Sequence, residues 1–290
     1  MAAHAHDGID WGERLRWLQL AEALDADALS LAALRLAAEL PDSPTIVDVG
    51  CGTGGMSVLL ARELVGRAGG RIVLVDVTEP LLAEARRAVE AAAGGVVTVE
   101  TVHADVSDPA LPGRVPMADL LWASSMVHHL PDQQAALGTL AEMVRPGGMV
   151  AIAEGGLETQ GLPWDLGLGR PGLERRLLTA QAEWFAGMRA GITDSVSMPY
   201  GWNTAMRQAG LTGVTSFGVL IDHPAPGDDQ VREYVVQLVR RVAETAGEWL
   251  AADDQEVLAA LLDPDGAHYL GARTDLFLLG ARTIHHGRQP

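Results

Sequence analysis

The sequence predicts an α/β protein built on a doubly wound, mostly parallel sheet. Short, almost continuously apolar segments alternate with helix-like segments between residues 42 and 156, a pattern typical of a parallel sheet covered by helices on both faces. The first apolar segment, residues 46–49, runs directly into a dense glycine loop. Because glycine allows a sharp turn and close approach of the backbone, this loop predicts a nucleotide-like cofactor.

The spacing of apolar and turn residues predicts the individual elements. Residues 11–40 carry apolar positions at helical spacing and predict one or two helices, with a break near Asp25 or Asp27. Strands are predicted at 45–50, 71–77, 96–103, 118–123 and 148–154, and helices between them at about 54–65, 79–92 and 132–145. Further along, we predict helices at 173–190 and 201–209, a strand at 214–221, a charged helical stretch at 228–262 and a strand at 275–284.

The chain divides into four parts without an obvious second domain. After Glu154 the regular alternation stops, and glycine, proline, tryptophan and arginine surround one helix, which predicts an insertion over the carboxyl edge of the sheet. The four parts are an N-terminal helical cap at 1–41, a cofactor-binding core at 42–156, a lid or substrate insertion at 157–200, and the C-terminal part of the core sheet at 201–290, with a helical insertion at about 224–270.

Composition limits the classes of function. A formal net charge of −17 argues against a nucleic-acid partner, since phosphate binding depends on Lys and Arg. All 21 basic residues are arginines, which excludes a Schiff-base lysine and a P-loop lysine. No apolar run approaches the roughly 20 residues that span a bilayer, and residues 1–7 lack a signal-peptide pattern. The single cysteine, Cys51, cannot form an internal disulfide, so we expect a cytoplasmic protein without a membrane partner.

The glycine loop by itself fits two kinds of cofactor. Gly50, Gly52 and Gly55 match the dinucleotide pattern G-x-G-x-x-G, and Asp76 follows about 20 residues later, where a ribose-binding acid belongs. A dehydrogenase therefore stays open at this point. Asp48, however, stands where a dinucleotide fingerprint carries an apolar residue, and a buried acid needs a partner such as a cofactor amine.

Two more strand ends carry polar groups that face the same edge of the predicted sheet. The third strand ends in His103-Ala104-Asp105-Val106, which places an acid where it can accept a hydrogen bond from an adenine amine. The fourth strand ends in S-S-M-V-H-H-L-P-D, residues 124–132, and R-P-G-G at 145–148 leads into the fifth.

This ordered set of motifs resembles the class I S-adenosylmethionine (SAM)-dependent methyltransferases. The segments D-V-G-C-G-T-G, V-D-V, A-D-V, S-S-M-V-H-H-L-P-D and R-P-G-G occur in the family's order over about residues 42–156. The resemblance implies SAM as the cofactor and a Rossmann-like sheet of seven strands, mostly parallel, with an antiparallel last strand. It is specific for the cofactor and weak for the substrate.

The resemblance also implies a role for each matching position. The implied cofactor-binding residues are Asp48, Gly50, Cys51, Gly52, Gly54, Asp76, Val77, Asp105, Val106 and Ser124. Asp48, Gly50 and Gly52 would line the methionine and ribose end, with Ser124 near the methionine portion. Asp76 would hold the ribose hydroxyls and Val77 would pack on the adenine. Asp105 would accept from the adenine amine, with Val106 beside it.

Candidate residues for catalysis and acceptor binding lie outside the glycine loop. An imidazole can accept a proton at neutral pH, so His129, and second His128, are candidates for a general base. The candidates for the acceptor pocket are Trp164, Arg170, Trp184 and Tyr200. We expect His285 and His286 at the surface, and no metal site, because no cluster of acids and histidines at ligand spacing accompanies the histidines.

The sequence therefore predicts a methyltransferase that acts on a small molecule. Oxygen is the expected acceptor atom, nitrogen and carbon stay open, and secondary metabolism is one setting. Two alternatives are kept: a SAM-binding protein with a cyclase-like or purely binding role, and an NAD-dependent oxidoreductase. A homodimer is left open as the oligomeric state.

Overall fold

Seven strands form one sheet at the centre of the protein. The computed structural model describes residues 11–290, so residues 1–7, examined above for a signal peptide, lie outside the described part. The strands are β1 (Thr45–Val49), β2 (Gly70–Asp76), β3 (Val97–His103), β4 (Ala118–Ser124), β5 (Val144–Gln160), β6 (Thr212–His223) and β7 (Leu278–Arg288). Their order is β3-β2-β1-β4-β5-β7-β6, and β7 runs antiparallel to both of its neighbours. The predicted fold class is confirmed.

Helices follow the predicted pattern closely, with one exception. They are α1 (Trp11–Ala37), α2 (Gly55–Val65), α3 (Glu79–Ala92), α4 (Gln133–Glu142), α5 (Leu173–Gly191), α6 (Trp202–Gln208), α7 (Asp229–Ala246) and α8 (Ala252–Leu262). The expected break near Asp25 or Asp27 is wrong, because α1 is continuous. Asp25 does not end the helix but forms an ion pair with Arg282 of β7 at 2.9 Å.

The fifth strand is much longer than the predicted 148–154. Beyond Glu154 it continues to Gln160 as an arm paired with β7, and its register shifts between Ala153 and Gly156. Gly156 has φ +135°, and a Cβ at this position would lie 2.1 Å from the carbonyl oxygen of Ala281. Only glycine therefore fits the bend. The predicted boundary between core and lid at 156/157 falls inside this strand.

Alternating side chains of the strands build a separate core on each face of the sheet. On one face, Ile46 and Trp122 pack with α1, α2 and α3, and the same core continues to α5, α7 and α8. On the other face, Val47 and Leu121 pack with α4 and α6. This leaves the carboxyl ends of β1, β2, β4 and β5 at one edge, beneath α1 and the β5 arm. Within residues 11–290, no helix has both the length and the apolarity needed to cross a bilayer.

A buried ion pair fixes the lid helix α5 to α8. The Arg176 guanidinium donates to both carboxylate oxygens of Asp254, at 2.7 and 2.8 Å. It also donates to the carbonyl oxygens of Arg170 and Pro171. Because Asp254 is only 4% exposed, its charge depends on this bidentate partner.

We predict that Arg176→Ala lowers the free energy of unfolding by about 2–4 kcal/mol, because it removes the bidentate partner of a buried carboxylate and leaves only the more distant Arg170, at 3.9 Å. The matched control is Arg87→Ala, since Arg87 pairs with Glu84 on the surface and its side chain is 71% exposed. That control is expected to cost less than about 1 kcal/mol. Urea unfolding of both variants measures the difference, and equal losses would contradict the structural importance of the α5–α8 pair.

Candidate cofactor and acceptor site

The glycine loop folds back on the end of β2. Gly50, Gly52 and Gly54 all have positive φ, at 70°, 56° and 88°. A Cβ at Gly50 would lie 2.8 Å from Cγ of Met126, whereas a Cβ at Gly52 would meet no heavy atom within 4 Å. Gly52 therefore borders open space at the carboxyl edge of the sheet, where a ligand can approach the backbone.

Cys51 lies in the glycine loop but does not act as a nucleophile. Its side chain is buried, and burial, reinforced by the charges of Asp48 and Asp76, raises the pKa of its thiol. The backbone N–H groups of Gly50 and Cys51 both donate to the carbonyl oxygen of Val75, which fixes the loop on β2. A buried thiol with a raised pKa is not a nucleophile at neutral pH.

Two predicted cofactor-binding acids lie directly beneath this loop. Asp48, at the end of β1, is 1% exposed and accepts a hydrogen bond from the Ser57 hydroxyl at 2.6 Å. Asp76, at the end of β2, is 8% exposed and accepts from the backbone N–H groups of Gly52 and Thr78 at 3.0 and 2.8 Å. Both acids are thus positioned by neighbouring donors.

A third acid, Glu22 of α1, reaches the same place and was missed in the sequence. A Cβ at Gly55 would lie 2.7 Å from the carboxyl carbon of Glu22, so this carboxylate lies directly over the start of α2. The Thr53 hydroxyl is beside it but outside hydrogen-bond geometry, and it is buried without a hydrogen-bond partner. Glu22 stands in an apolar helical pattern far from the loop in sequence, so no local signal marks it.

These three carboxylates make the loop a site for a positive charge. Burial raises the pKa of Asp48 to about 7, with the charges of Glu22 and Asp76 adding to the effect and the Ser57 hydrogen bond opposing it. Burial also raises the pKa of Glu22. Among the described residues, no arginine forms an ion pair with any of the three. The sulfonium and ammonium of SAM are positively charged and complement these carboxylates, whereas the pyrophosphate of a dinucleotide would add more negative charge.

The remaining predicted cofactor residues lie along the same edge. Val77 follows β2 and is 43% exposed, so it offers an apolar surface to a base. Asp105 follows β3, and its carboxylate accepts from the backbone N–H and the hydroxyl of Ser107 at 2.8 Å each. Val106 and Ser124 are both half-buried, with Ser124 at the end of β4. Their roles toward the cofactor stay predictions.

The histidine pair lies in a 3₁₀ turn, Val127–His129, just after β4 and Met126. Nδ1 of His128 is 2.6 Å from Oε2 of Glu154, and Oε1 of Glu154 accepts from the backbone N–H groups of Met126 and Val127. Glu154 is 2% exposed. Because a carboxylate only accepts, Nδ1 of His128 is the donor and its Nε2 keeps a free lone pair. Sequence reasoning assigned no role to Glu154, although an acid at the end of a buried strand next to the histidine turn is a usable signal.

His129 lies against His128 but has no such partner. The two ring centroids are 4.0 Å apart, and Phe185 of α5 lies 5.7 Å from His128 and 6.4 Å from His129. Burial lowers the pKa of His129 to about 4, with His128, Arg189 and Arg14 adding to the effect and Glu154 opposing it. The ring is therefore neutral at pH 7.

Three of the four predicted acceptor-pocket residues have their contacts elsewhere. Trp164 is 66% exposed and packs against Gly172. Arg170 turns toward Asp254, at 3.9 Å, and the Tyr200 hydroxyl donates to Gln134 at 3.1 Å. Trp184 packs, partly buried, against the core beneath α5 and α7. None of these contacts joins Trp164, Arg170 or Tyr200 to the histidine pair, although Tyr200 packs against the same core as Val127 of the histidine turn.

The expectation that His285 and His286 lie at the surface is wrong. Both belong to β7, an interior strand, and His286 is 7% exposed. Nε2 of His285 contacts the carbonyl oxygen of Glu154 at 3.1 Å, and its Nδ1 contacts Ser216 and Asn203 at 2.8 and 3.1 Å. His285 thus supports the strand that carries Glu154. Across residues 11–290, no three His, Cys, Asp or Glu side chains converge as metal ligands would.

Several known proteins similar to this chain are methyltransferases. The model of a family described as a methyltransferase domain matches residues 46–148. Nocamycin O-methyltransferase of Saccharothrix syringae is 31% identical over 228 residues, which cover 76% of this chain and 72% of that protein. Trans-aconitate 2-methyltransferase of Azoarcus sp. (strain BH72) is 35% identical over 131 residues, so the match covers 44% of this chain and spans about half, 46%, of that relative's length.

Among solved structures, one similar chain is a SAM-dependent methyltransferase from Thiobacillus denitrificans in complex with S-adenosyl-L-homocysteine. It is 18% identical with a TM-score of 0.45, and the match covers 89% of this chain and 90% of that one.

The chain belongs to the class I SAM-dependent methyltransferases, as the extended match to nocamycin O-methyltransferase and the family model show. SAM is its cofactor, and the acids beneath the glycine loop fit this cation. The predicted cofactor and enzyme class are therefore confirmed, and the alternative of an NAD-dependent oxidoreductase is set aside.

We predict that SAM binds about tenfold more weakly at pH 6 than at pH 8, because a carboxyl with a pKa of about 7 is mostly protonated at the lower pH. Calorimetry with SAM at both pH values gives the ratio of dissociation constants. The control is Asp48→Asn, which retains the titration of SAM itself and of the other groups of the site, including Glu22. A wild-type ratio no larger than that of Asp48→Asn would contradict the role of Asp48.

We predict that Asp76→Ala raises the dissociation constant of SAM about tenfold or more, a loss of at least about 1.4 kcal/mol. The substitution removes the acceptor that would hold the ribose hydroxyls and that fixes the Gly52 amide. Asp42→Ala is the matched control, since Asp42 is exposed at the opposite edge of the sheet. Unchanged binding by Asp76→Ala would refute the role assigned to Asp76.

Proposed function

We propose that this protein methylates an oxygen of a small-molecule acceptor and that His128 is the general base. The observation that carries this proposal is the contact of 2.6 Å between His128 Nδ1 and the buried Glu154 carboxylate. A carboxylate behind one ring nitrogen fixes the tautomer and makes the other nitrogen a better proton acceptor. The same pairing favours His128 over His129, whose pKa is lowered to about 4.

Bound SAM supplies an electrophilic methyl group next to its positively charged sulfur. Asp48, Asp76 and Glu22 would hold the cationic cofactor against the glycine loop. Met126, which contacts Gly50, links that loop to the histidine turn two residues later. Nε2 of His128 would accept the proton of the acceptor hydroxyl, and Glu154 would stabilise the resulting imidazolium. Holding the reacting groups in place contributes on the order of 7–11 kcal/mol in favourable cases.

Two further observations support oxygen as the acceptor atom. A hydroxyl must lose its proton as it gains a methyl group, and a paired histidine at the end of β4 provides for that loss. Nocamycin O-methyltransferase, by its name an oxygen methylase, matches over 76% of this chain. A protein that only binds SAM needs no general base, so the His128–Glu154 pair would have no function in it. Small-molecule specificity, secondary metabolism, a cytoplasmic location and a homodimer stay predictions.

We predict that His128→Ala lowers kcat by about 10²- to 10⁴-fold, the usual contribution of a general base. Candidate acceptors are catechol and other uncharged phenols, with methylation detected by mass spectrometry. Glu154→Gln should lower kcat less, and the deficit of His128→Ala should shrink as rising pH removes the acceptor proton. His129→Ala, the adjacent control, should retain most of the activity. Loss of turnover in His129→Ala but not in His128→Ala would contradict the assignment.

A further inference from the structure

A cavity of about 140 Å³ lies between α5, α7 and the arm of β5. Apolar side chains from α5 and α7 form most of its wall, namely Leu177, Leu178, Leu238, Val239 and Val242. Polar groups complete the lining, among them Glu158 of the arm, Glu174 and Gln181 of α5, and Arg282 of β7. None of the residues predicted from the sequence to bind the acceptor belongs to this wall.

The size of the cavity limits what it can hold. A cavity of about 150 Å³ lined by aliphatic and aromatic side chains is enough to bind benzene. The space between α5 and α7 is of the same size, about 140 Å³, so it accommodates one six-membered ring or a branched alkyl group of equal bulk. A fused polycyclic body would not fit inside it as a whole.

The cavity lies next to the reaction site, as two helices show independently. On α5, Gln181 lines the cavity and Phe185, one turn or about 6 Å further along the helix, lies 5.7 Å from His128. On α1, Asp25 pairs with the cavity residue Arg282, one turn after Glu22 of the acid cluster. The cavity residue Gln181 is therefore one turn of α5 from Phe185, which contacts His128, and the cavity residue Arg282 is joined through Asp25 to Glu22, one turn away on α1.

The polar residues that line the cavity offer hydrogen bonds rather than a free positive charge. Arg282 is neutralised by Asp25 at 2.9 Å. Burial raises the pKa of Tyr234, another lining residue, to about 12, so its phenol stays neutral, and its ring stacks on Trp17 of α1 at 4.6 Å. Glu158 and Glu174 add carboxylates to the lining. These carboxylates disfavour an anionic substituent in the cavity, whereas an uncharged ring with hydroxyl or carbonyl groups can form hydrogen bonds with the lining.

We propose that this cavity receives the uncharged ring, or an alkyl group of equal bulk, of the acceptor, and that the acceptor extends along α5 so that its reacting hydroxyl reaches His128. The assignment rests on the proposed function, since it supplies the acceptor pocket of that same reaction. It defines the substrate class as a hydroxylated molecule with one neutral, ring-sized apolar group.

In the test, ligand-observed NMR measures the binding of phenol to the full chain saturated with S-adenosylhomocysteine. Leu238→Trp and Gln181→Trp fill the cavity from α7 and from α5. Each should weaken phenol binding at least about tenfold while S-adenosylhomocysteine binds as in the wild type. Leu34→Trp is the matched control, because Leu34 is 55% exposed on α1 near the opposite edge of the sheet, and it should leave phenol binding unchanged.

Absence of phenol binding to the wild type, or unchanged binding in both filled variants, would overturn the assignment of the cavity. If one filled variant fails to fold, the other decides, since each blocks the cavity from a different helix. Failure of the wild type to bind S-adenosylhomocysteine would instead count against the site on which the proposed function depends.

Discussion

The buried carboxylate of Asp48 is the constraint on which the rest of the site depends. It lies beneath the glycine loop with Glu22 and Asp76 and without an arginine in ion-pair contact among the described residues, so burial raises its pKa to about 7. Because the folded pKa is above the ordinary value, its ionisation destabilises the free protein as pH rises from about 4 through 7. A bound cation stabilises the ionised carboxylate. The same buried carboxylate that destabilises the free protein therefore favours the binding of SAM.

Helix α1 connects the two halves of the site. Trp17 stacks on Tyr234, Glu22 covers the start of α2, and Asp25 holds Arg282. Helix α1 therefore contacts both the cofactor loop and residues that line the cavity. On the opposite side, Glu154 belongs to the strand that becomes the β5 arm, so the proposed base and the cavity are also connected through one element. Under the proposed function, α1 and β5 would thus connect the cofactor site with the acceptor site.

Sequence reasoning succeeded for the features that depend on local sequence motifs. The apolar strands, the glycine loop and the acids at strand ends are short-range patterns, so the core followed from them, and the cofactor and the enzyme class followed from the family resemblance of the ordered motifs. Glu22 and the cavity were missed because each depends on packing between elements distant in sequence. The break at Asp25 and the surface position of His285 and His286 were wrong for the same reason: ion pairing with Arg282 and an interior place in the sheet override local preference.

The most direct measurement is the titration of the Asp48 carboxyl carbon by NMR, with and without SAM. We expect a midpoint near pH 7 in the free protein and a clear decrease when SAM is bound, because the cation favours the carboxylate. A midpoint near the ordinary value of about 4 in the free protein, or one that SAM leaves unchanged, would contradict the account.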